Sequence, residues 1–179
     1  MEKMNNIEIE IRSFITKEQY EKLLKFFIEN STLTKEDFQE TYYFDCEQDL
    51  RIQKNNLGCK IWLKDGKIHD EFRKEIEIFI DKENFEKAKA IFEAIGLKTE
   101  IIWLRERKQF NWDDIKVCLD FTKGYGYIIE LEKKGNIENQ VTILNELKNK
   151  LKELEINLTP KEEFDKAYEY YKNNWRKLI

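Results

Sequence analysis

The sequence predicts an α+β protein, an eight-stranded antiparallel β-barrel with helices packed on the outside. Three observations lead there. Apolar and charged residues alternate in short segments, as in Ile7-Glu8-Ile9-Glu10-Ile11-Arg12 and Arg73-Lys74-Glu75-Ile76-Glu77-Ile78, and successive side chains of a strand point to opposite faces. The segments are joined mostly by short turns, which favours antiparallel pairing; eight such strands can close around an interior that admits one small ligand. Apolar stripes at helical spacing follow the first and fifth segments and return at the C-terminal end. Charged faces would then point inward, and apolar faces outward against the helices.

Each element has its own signal. Residues 6–14 alternate as a strand. Thr16-Lys17-Glu18-Gln19 reads as a capping box, with Tyr20, Leu23, Leu24, Phe27 and Ile28 behind it at helical spacing. Strand-like segments follow over 38–45, 49–54, 58–64 and 68–80, broken at Asn55-Asn56 and at Asp65-Gly66, a hairpin dipeptide. A second helix is expected after Asp81, with Phe85, Ala88, Ile91, Phe92 and Ile95 on its apolar face and Gly96 at its C-terminal cap. Strands over 98–110, 115–122 and 125–133 turn at Asp113-Asp114 and Gly124-Tyr125-Gly126. Val141, Leu144, Leu147, Leu151 and Leu154 mark a third helix. The last has Thr159 as N-cap, Pro160 in the first helical position and Glu162 completing a capping box. Its stripe of Phe164, Ala167, Tyr168, Tyr171, Trp175 and Leu178 is expected to pack over the outer wall.

The chain has 179 residues, enough for one domain with a real core, and is read as a single domain over 1–179. Charged residues make up 38% of it, yet the net charge is only -4. Dense but balanced charge argues against a general nucleic-acid coat, so nucleic acid is not expected as a partner. Cys46, Cys59 and Cys118 are odd in number and lack CxxC spacing, which argues against a disulfide framework and a zinc site and fits reduced thiols in a cytoplasmic protein. With no apolar stretch after Met1-Glu2-Lys3 a secretory signal is not expected, and no apolar run reaches membrane-spanning length. The one histidine, His69, is read as a turn or edge residue.

Alternation collects two sets of charges. Glu8, Glu10, Glu75, Glu77, Asp120, Glu130 and Glu132 form the acidic set; Arg12, Arg51, Lys60, Lys64, Arg73, Arg105 and Arg107 form the basic one. A lining of one sign would repel itself, whereas a mixed lining can hold a metal and a polyphosphate. Oxygen-only carboxylate clusters suit Mg²⁺ or Mn²⁺. Guanidinium forks suit phosphate oxygens. Phosphoryl transfer needs both. The competing reading is a solvated sheet face with cross-strand ion pairs, which concordance across five segments disfavours.

These residues resemble the CYTH superfamily, the triphosphate tunnel metalloenzymes. It includes class IV adenylate cyclases, thiamine triphosphatases, inorganic triphosphatases and RNA 5′-triphosphatases. The family's ExExK signature is matched by Glu8-Ile9-Glu10-Ile11-Arg12. Glu40-Thr41-Tyr42-Tyr43-Phe44-Asp45, Leu50-Arg51-Ile52, Arg73-Lys74-Glu75-Ile76-Glu77, Arg105-Glu106-Arg107, Leu119-Asp120 and Gly126-Tyr127-Ile128-Ile129-Glu130-Leu131-Glu132 follow in the family's order. The resemblance implies an eight-stranded antiparallel tunnel. It implies that Glu8, Glu10, Asp120, Glu130 and Glu132 help hold a divalent metal, with Glu75 and Glu77 carried in the same set. It implies that Arg51, Lys64, Arg73, Arg105 and Arg107 grip a triphosphate, with Lys60 beside them.

Two departures bear on the chemistry. The family's lysine, which in hydrolytic members helps to activate the attacking water, is Arg12 here. Arginine keeps the charge and can bind phosphate but cannot act as a base, so water activation falls to metal or a carboxylate. Gln53 stands where many members carry a second arginine. The leading expectation is metal-dependent hydrolysis of a small triphosphate: inorganic triphosphate, thiamine triphosphate or a nucleoside triphosphate. The alternatives are a class IV adenylate cyclase and a non-catalytic polyphosphate- or nucleotide-binding module. Trp62, Trp103 and Tyr125 could stack on a base or simply pack. The family often forms homodimers, and the sequence leaves that open.

Overall fold

A computed structural model describes residues 7–65 and 74–179, and side chains over 7–63 and 76–179. Arg73 and His69 lie outside the described residues, as do the side chains of Lys64 and Glu75. The strands are β1 (Ile7–Ile15), β2 (Thr32–Phe44), β3 (Asp49–Lys54), β4 (Cys59–Asp65), β5 (Lys74–Ile80), β6 (Thr99–Trp112), β7 (Ile115–Thr122) and β8 (Gly126–Gly135). The helices are α1 (Lys17–Asn30), α2 (Phe85–Ala94), α3 (Gln140–Glu153) and α4 (Lys161–Leu178). The expected eight antiparallel strands with helices are present, in the order β1-β8-β7-β6-β2-β3-β4-β5. Among the described residues no ladder joins β1 to β5.

By internal contact the chain divides into two compact units. The first comprises Met1–Glu36, Arg107–Phe121 and Gly126–Phe164; the second comprises Asp37–Glu106, Thr122–Tyr125 and Asp165–Ile179.

In the first unit, β1 pairs antiparallel with β8, with Glu10 opposite Glu132 and Arg12 opposite Glu130. Its core takes Ile9 and Ile11 of β1, Val117 and Leu119 of β7, and Ile129 and Leu131 of β8, under Leu23 and Phe27 of α1 and Leu147 and Leu151 of α3. Phe27 is fully buried, with Phe110 and Trp112 ring centroids at 5.6 and 5.5 Å. The capping box of α1 forms: Gln19 N–H donates to the Thr16 hydroxyl at 3.1 Å, and Thr16 N–H donates to the Gln19 side chain at 2.8 Å. The box expected at α4 does not. The Thr159 hydroxyl instead accepts from Phe14 N–H at 2.9 Å, and Thr159 N–H donates to the Ser13 hydroxyl at 3.0 Å, tying the entry of α4 to β1.

In the second unit, β3 pairs with β2 and β4, and β4 with β5. Asn55 closes the β3–β4 turn, its side chain accepting from Leu57 and Gly58 N–H at 2.9 Å. A 3-10 turn over Lys82–Asn84 precedes α2, which buries Phe85 against Phe44, Ile52 and Cys59. Ile91 and Ile95, expected on the apolar face of α2, are exposed because that helix buries only the stripe through Phe85, Ala88 and Phe92. Gly96 ends α2 at φ 95°, with Leu97 N–H donating to Phe92 O and Gly96 N–H to Glu93 O, both at 3.0 Å.

Helix α4 buries its aromatic stripe. In the first unit Phe164 stacks on Phe14 at 4.3 Å and lies under the Arg12 guanidinium, on the β1 face that carries Glu8 and Glu10. In the second unit Tyr168, Tyr171 and Trp175 pack with Tyr43 and Trp103, and Tyr43 stands opposite Arg51 in the β2–β3 register.

Candidate metal centre and phosphate-binding residues

In the first unit the alternation of β1, β7 and β8 decides which charges meet. Ile9 and Ile11 go to the core, leaving Glu8, Glu10 and Arg12 on the other side. Ile115, Val117 and Leu119 do the same for β7, leaving Lys116, Cys118 and Asp120. The result is a group of three carboxylates, Glu10, Glu130 and Glu132, each offering an oxygen within 4.8 Å of the other two. Glu8 and Asp120 stand outside that triad. Glu8 is exposed, opposite Lys134 in the ladder.

Cations are built into this group. Arg107 of β6 forks onto Asp120, Nε to Oδ1 at 2.7 Å and Nη2 to Oδ2 at 2.6 Å, and lies 3.5 Å from Glu130. Burial works against the Arg107 charge, but Asp120 and Glu130 outweigh it and hold the guanidinium well above its ordinary range. Lys116 of β7 is ion-paired with Glu132. Burial pushes the Glu132 carboxyl up, Lys116 opposes this, and Glu8 and Glu130 add to it. A cleft of about 490 Å³, lined in part by Glu8, Lys116, Glu132 and Lys134, adjoins the triad. Arg12 lies over the Phe164 ring at 5.2 Å and makes no ion pair among the described residues.

In the second unit the basic residues also have partners. Arg51 forks onto Asp49 and lies over the Tyr43 and Trp62 rings at 4.3 and 5.5 Å. Lys60 pairs with Glu77 and lies 4.4 Å from the centroid of Trp62. Arg105 donates through Nε and Nη2 to Gln39 Oε1 at 2.8 and 2.5 Å, while Gln39 Nε2 donates to Asp37 Oδ2 at 3.0 Å. Gln53 takes no charge at the site: its amide donates to the Thr41 hydroxyl at 2.8 Å. Glu77 stands with Lys60. Trp62 is buried between Arg51 and Lys60, and Trp103 packs against Tyr125 at 4.5 Å and Tyr171 at 5.0 Å.

Sequence reading missed Lys116, Asp49 and Gln39. Lys116 was within reach, since it alternates with Ile115 and Val117 on the face of Asp120. Asp49 and Gln39 carried no motif, because Asp49, two residues from Arg51, and Gln39, on a different strand from Arg105, become partners only once the side chains are placed.

The donor set of the triad is all oxygen, which suits a hard divalent ion. The CYTH domain model matches residues 6–167. The chain belongs to the CYTH domain family. CYTH triphosphate tunnel enzymes use divalent metals, and the family acts on triphosphate substrates. A Methanocaldococcus jannaschii protein named "Putative adenylate cyclase" is 32% identical over 134 residues, 68% of this chain and 75% of its own. A Pyrococcus furiosus structure superposes with a TM-score of 0.69 at 22% identity, covering 84% of this chain and 91% of its own. A Hippeastrum structure described as a "putative adenylyl cyclase" that "reveals a dominant" triphosphatase activity superposes at 0.62, with 20% identity, covering 84% of this chain and 88% of its own. These two structures bear on the fold of this CYTH chain. No helix among the described residues is long and apolar enough to cross a membrane.

Proposed function

We propose that this CYTH protein, taken as one domain over 1–179, is a triphosphatase that uses Mg²⁺ or Mn²⁺ to hydrolyse a small triphosphate. The observation that carries the reading is the convergence of Glu10, Glu130 and Glu132 within 4.8 Å of one another. A divalent ion held there would neutralise phosphoryl oxygens and ease nucleophilic attack on phosphorus. Glu8 and Asp120 complete the acidic surroundings, and Asp120 keeps Arg107 charged and oriented. Arg12 contributes fixed positive charge beside Glu130 and binds phosphate oxygen; it takes no proton from water. Arg51, Lys60, Lys64, Arg73, Arg105 and Arg107 are assigned to the phosphate chain, and Glu75 and Glu77 to charge balance or metal. Water attacks the terminal phosphorus, the bridging P–O bond breaks, and phosphate and a diphosphate leave. The free cysteines fit a reducing compartment, and cytoplasmic placement is part of the proposal.

A second reading, the class IV adenylate cyclase, is favoured by the name of the Methanocaldococcus jannaschii relative. There the substrate's 3′-hydroxyl would attack the α-phosphorus and release pyrophosphate. One experiment separates the readings. The protein is incubated with Mg²⁺ or Mn²⁺ and, separately, inorganic triphosphate, thiamine triphosphate and ATP, and the products are resolved by chromatography. Phosphate with the matching diphosphate supports the triphosphatase; cyclic AMP with pyrophosphate overturns it in favour of the cyclase. Saturable triphosphate binding with no product, and turnover gained in Arg12→Lys, would make it a binding module.

A further inference from the structure

The ammonium of Lys116 touches Glu132, one of the three carboxylates of the acidic triad. We propose that Lys116 is a built-in counter-cation of this centre: it holds the Glu132 carboxylate in place while no ion is bound, and it lowers the affinity for a divalent cation by sharing one of the ligand residues. The inference rests on the reading of Glu10, Glu130 and Glu132 as a divalent-cation site.

Three features separate Lys116 from Arg107. Arg107 has committed its fork to Asp120 and reaches Glu130 only at 3.5 Å. A guanidinium locked on two oxygens cannot yield to an incoming ion. Lys116 is a point charge on a four-carbon stem, with a side chain 36% exposed against 15% for Arg107. It also lines the cleft next to Glu132, which gives the stem room to swing aside. Glu132 itself is buried, so it cannot be left without a cation at small cost. Lys116 supplies that cation and competes with any ion that takes its place. It is therefore a positioning residue, acting through Glu132.

The test is calorimetric titration of the full chain with Mn²⁺ alone, comparing the parent with Lys116→Met, Lys116→Arg and Glu10→Gln, with melting temperatures in chelator and in Mn²⁺. Lys116→Met is expected to bind Mn²⁺ about tenfold more tightly, about 1.4 kcal/mol. It should melt lower in chelator and recover in Mn²⁺. Lys116→Arg should stay within about twofold of the parent, because it keeps the charge. Lys116→Gln gives the same comparison if the Met variant does not fold. Affinity unchanged or weakened in Lys116→Met, with Glu10→Gln still abolishing binding, overturns the role of Lys116 alone. Absence of Mn²⁺ binding in every protein, or equal binding in parent and Glu10→Gln, overturns the divalent site and the role of Lys116 with it.

Discussion

Arg107 grips both carboxylate oxygens of Asp120, at 2.7 and 2.6 Å, across two neighbouring strands of the first unit. The pair is buried, with 15% and 4% of the two side chains exposed. A guanidinium expected to bind substrate is thus already the counter-ion of an expected metal ligand.

Breaking this pair should be costly, because Asp120 would keep a buried charge with no matching fork. Arg107→Ala is expected to lose about 3–5 kcal/mol of stability in urea denaturation at pH 7. A loss under about 1 kcal/mol would mean that water reaches the pair freely.

Two residues of the expected acidic set should differ in effect. Glu130 belongs to the carboxylate triad and Glu8 does not. Glu130→Gln is expected to reduce metal-dependent turnover by about 100-fold or more, beyond what loss of an outer partner costs, with the circular dichroism spectrum unchanged. Glu8→Gln should fall by about tenfold or less. Equal effects would place Glu8 among the ligands.

Tyr171 predicts an alkaline limit to stability. Its hydroxyl donates to Ile102 O at 2.8 Å, and burial pushes its pKa from 10.0 up to about 12. The folded state favours the neutral phenol, so this contribution is whole below pH 10 and is lost as pH rises through about 12. Tyr171→Phe should cost about 1 kcal/mol at pH 8 from the lost hydrogen bond and show a shallower decline in stability between pH 10 and 12. Parallel declines in the two proteins would show that Tyr171 ionises as it does in water.

The clasp between β1 and the start of α4 should be measurable by single substitutions. Ser13 is fully buried and its hydroxyl accepts from Thr159 N–H, while the Thr159 hydroxyl accepts from Phe14 N–H. Ser13→Ala and Thr159→Ala each leave one backbone donor unsatisfied and should cost about 1–3 kcal/mol. Thr159→Ser should recover most of the loss, and failure to do so would assign the effect to the threonine methyl group.

The sequence by itself determined the element types, the antiparallel sheet and the charged face of each strand. Period-two alternation is local, so Ile9 and Ile11 could be assigned to the core, and Glu10 and Glu132 to the other side, without knowing what lay beyond. Capping chemistry at Thr16 and Gly96 was legible for the same reason. Only the tertiary structure decided which charges meet. The β1–β8 register sets Glu10 opposite Glu132, and the forks of Arg107 and Arg51 close on Asp120 and Asp49. It also turned Thr159 from a helix cap into a clasp. Such pairings join residues up to 146 positions apart, and an ion pair forms where side chains converge in space, which no local pattern encodes.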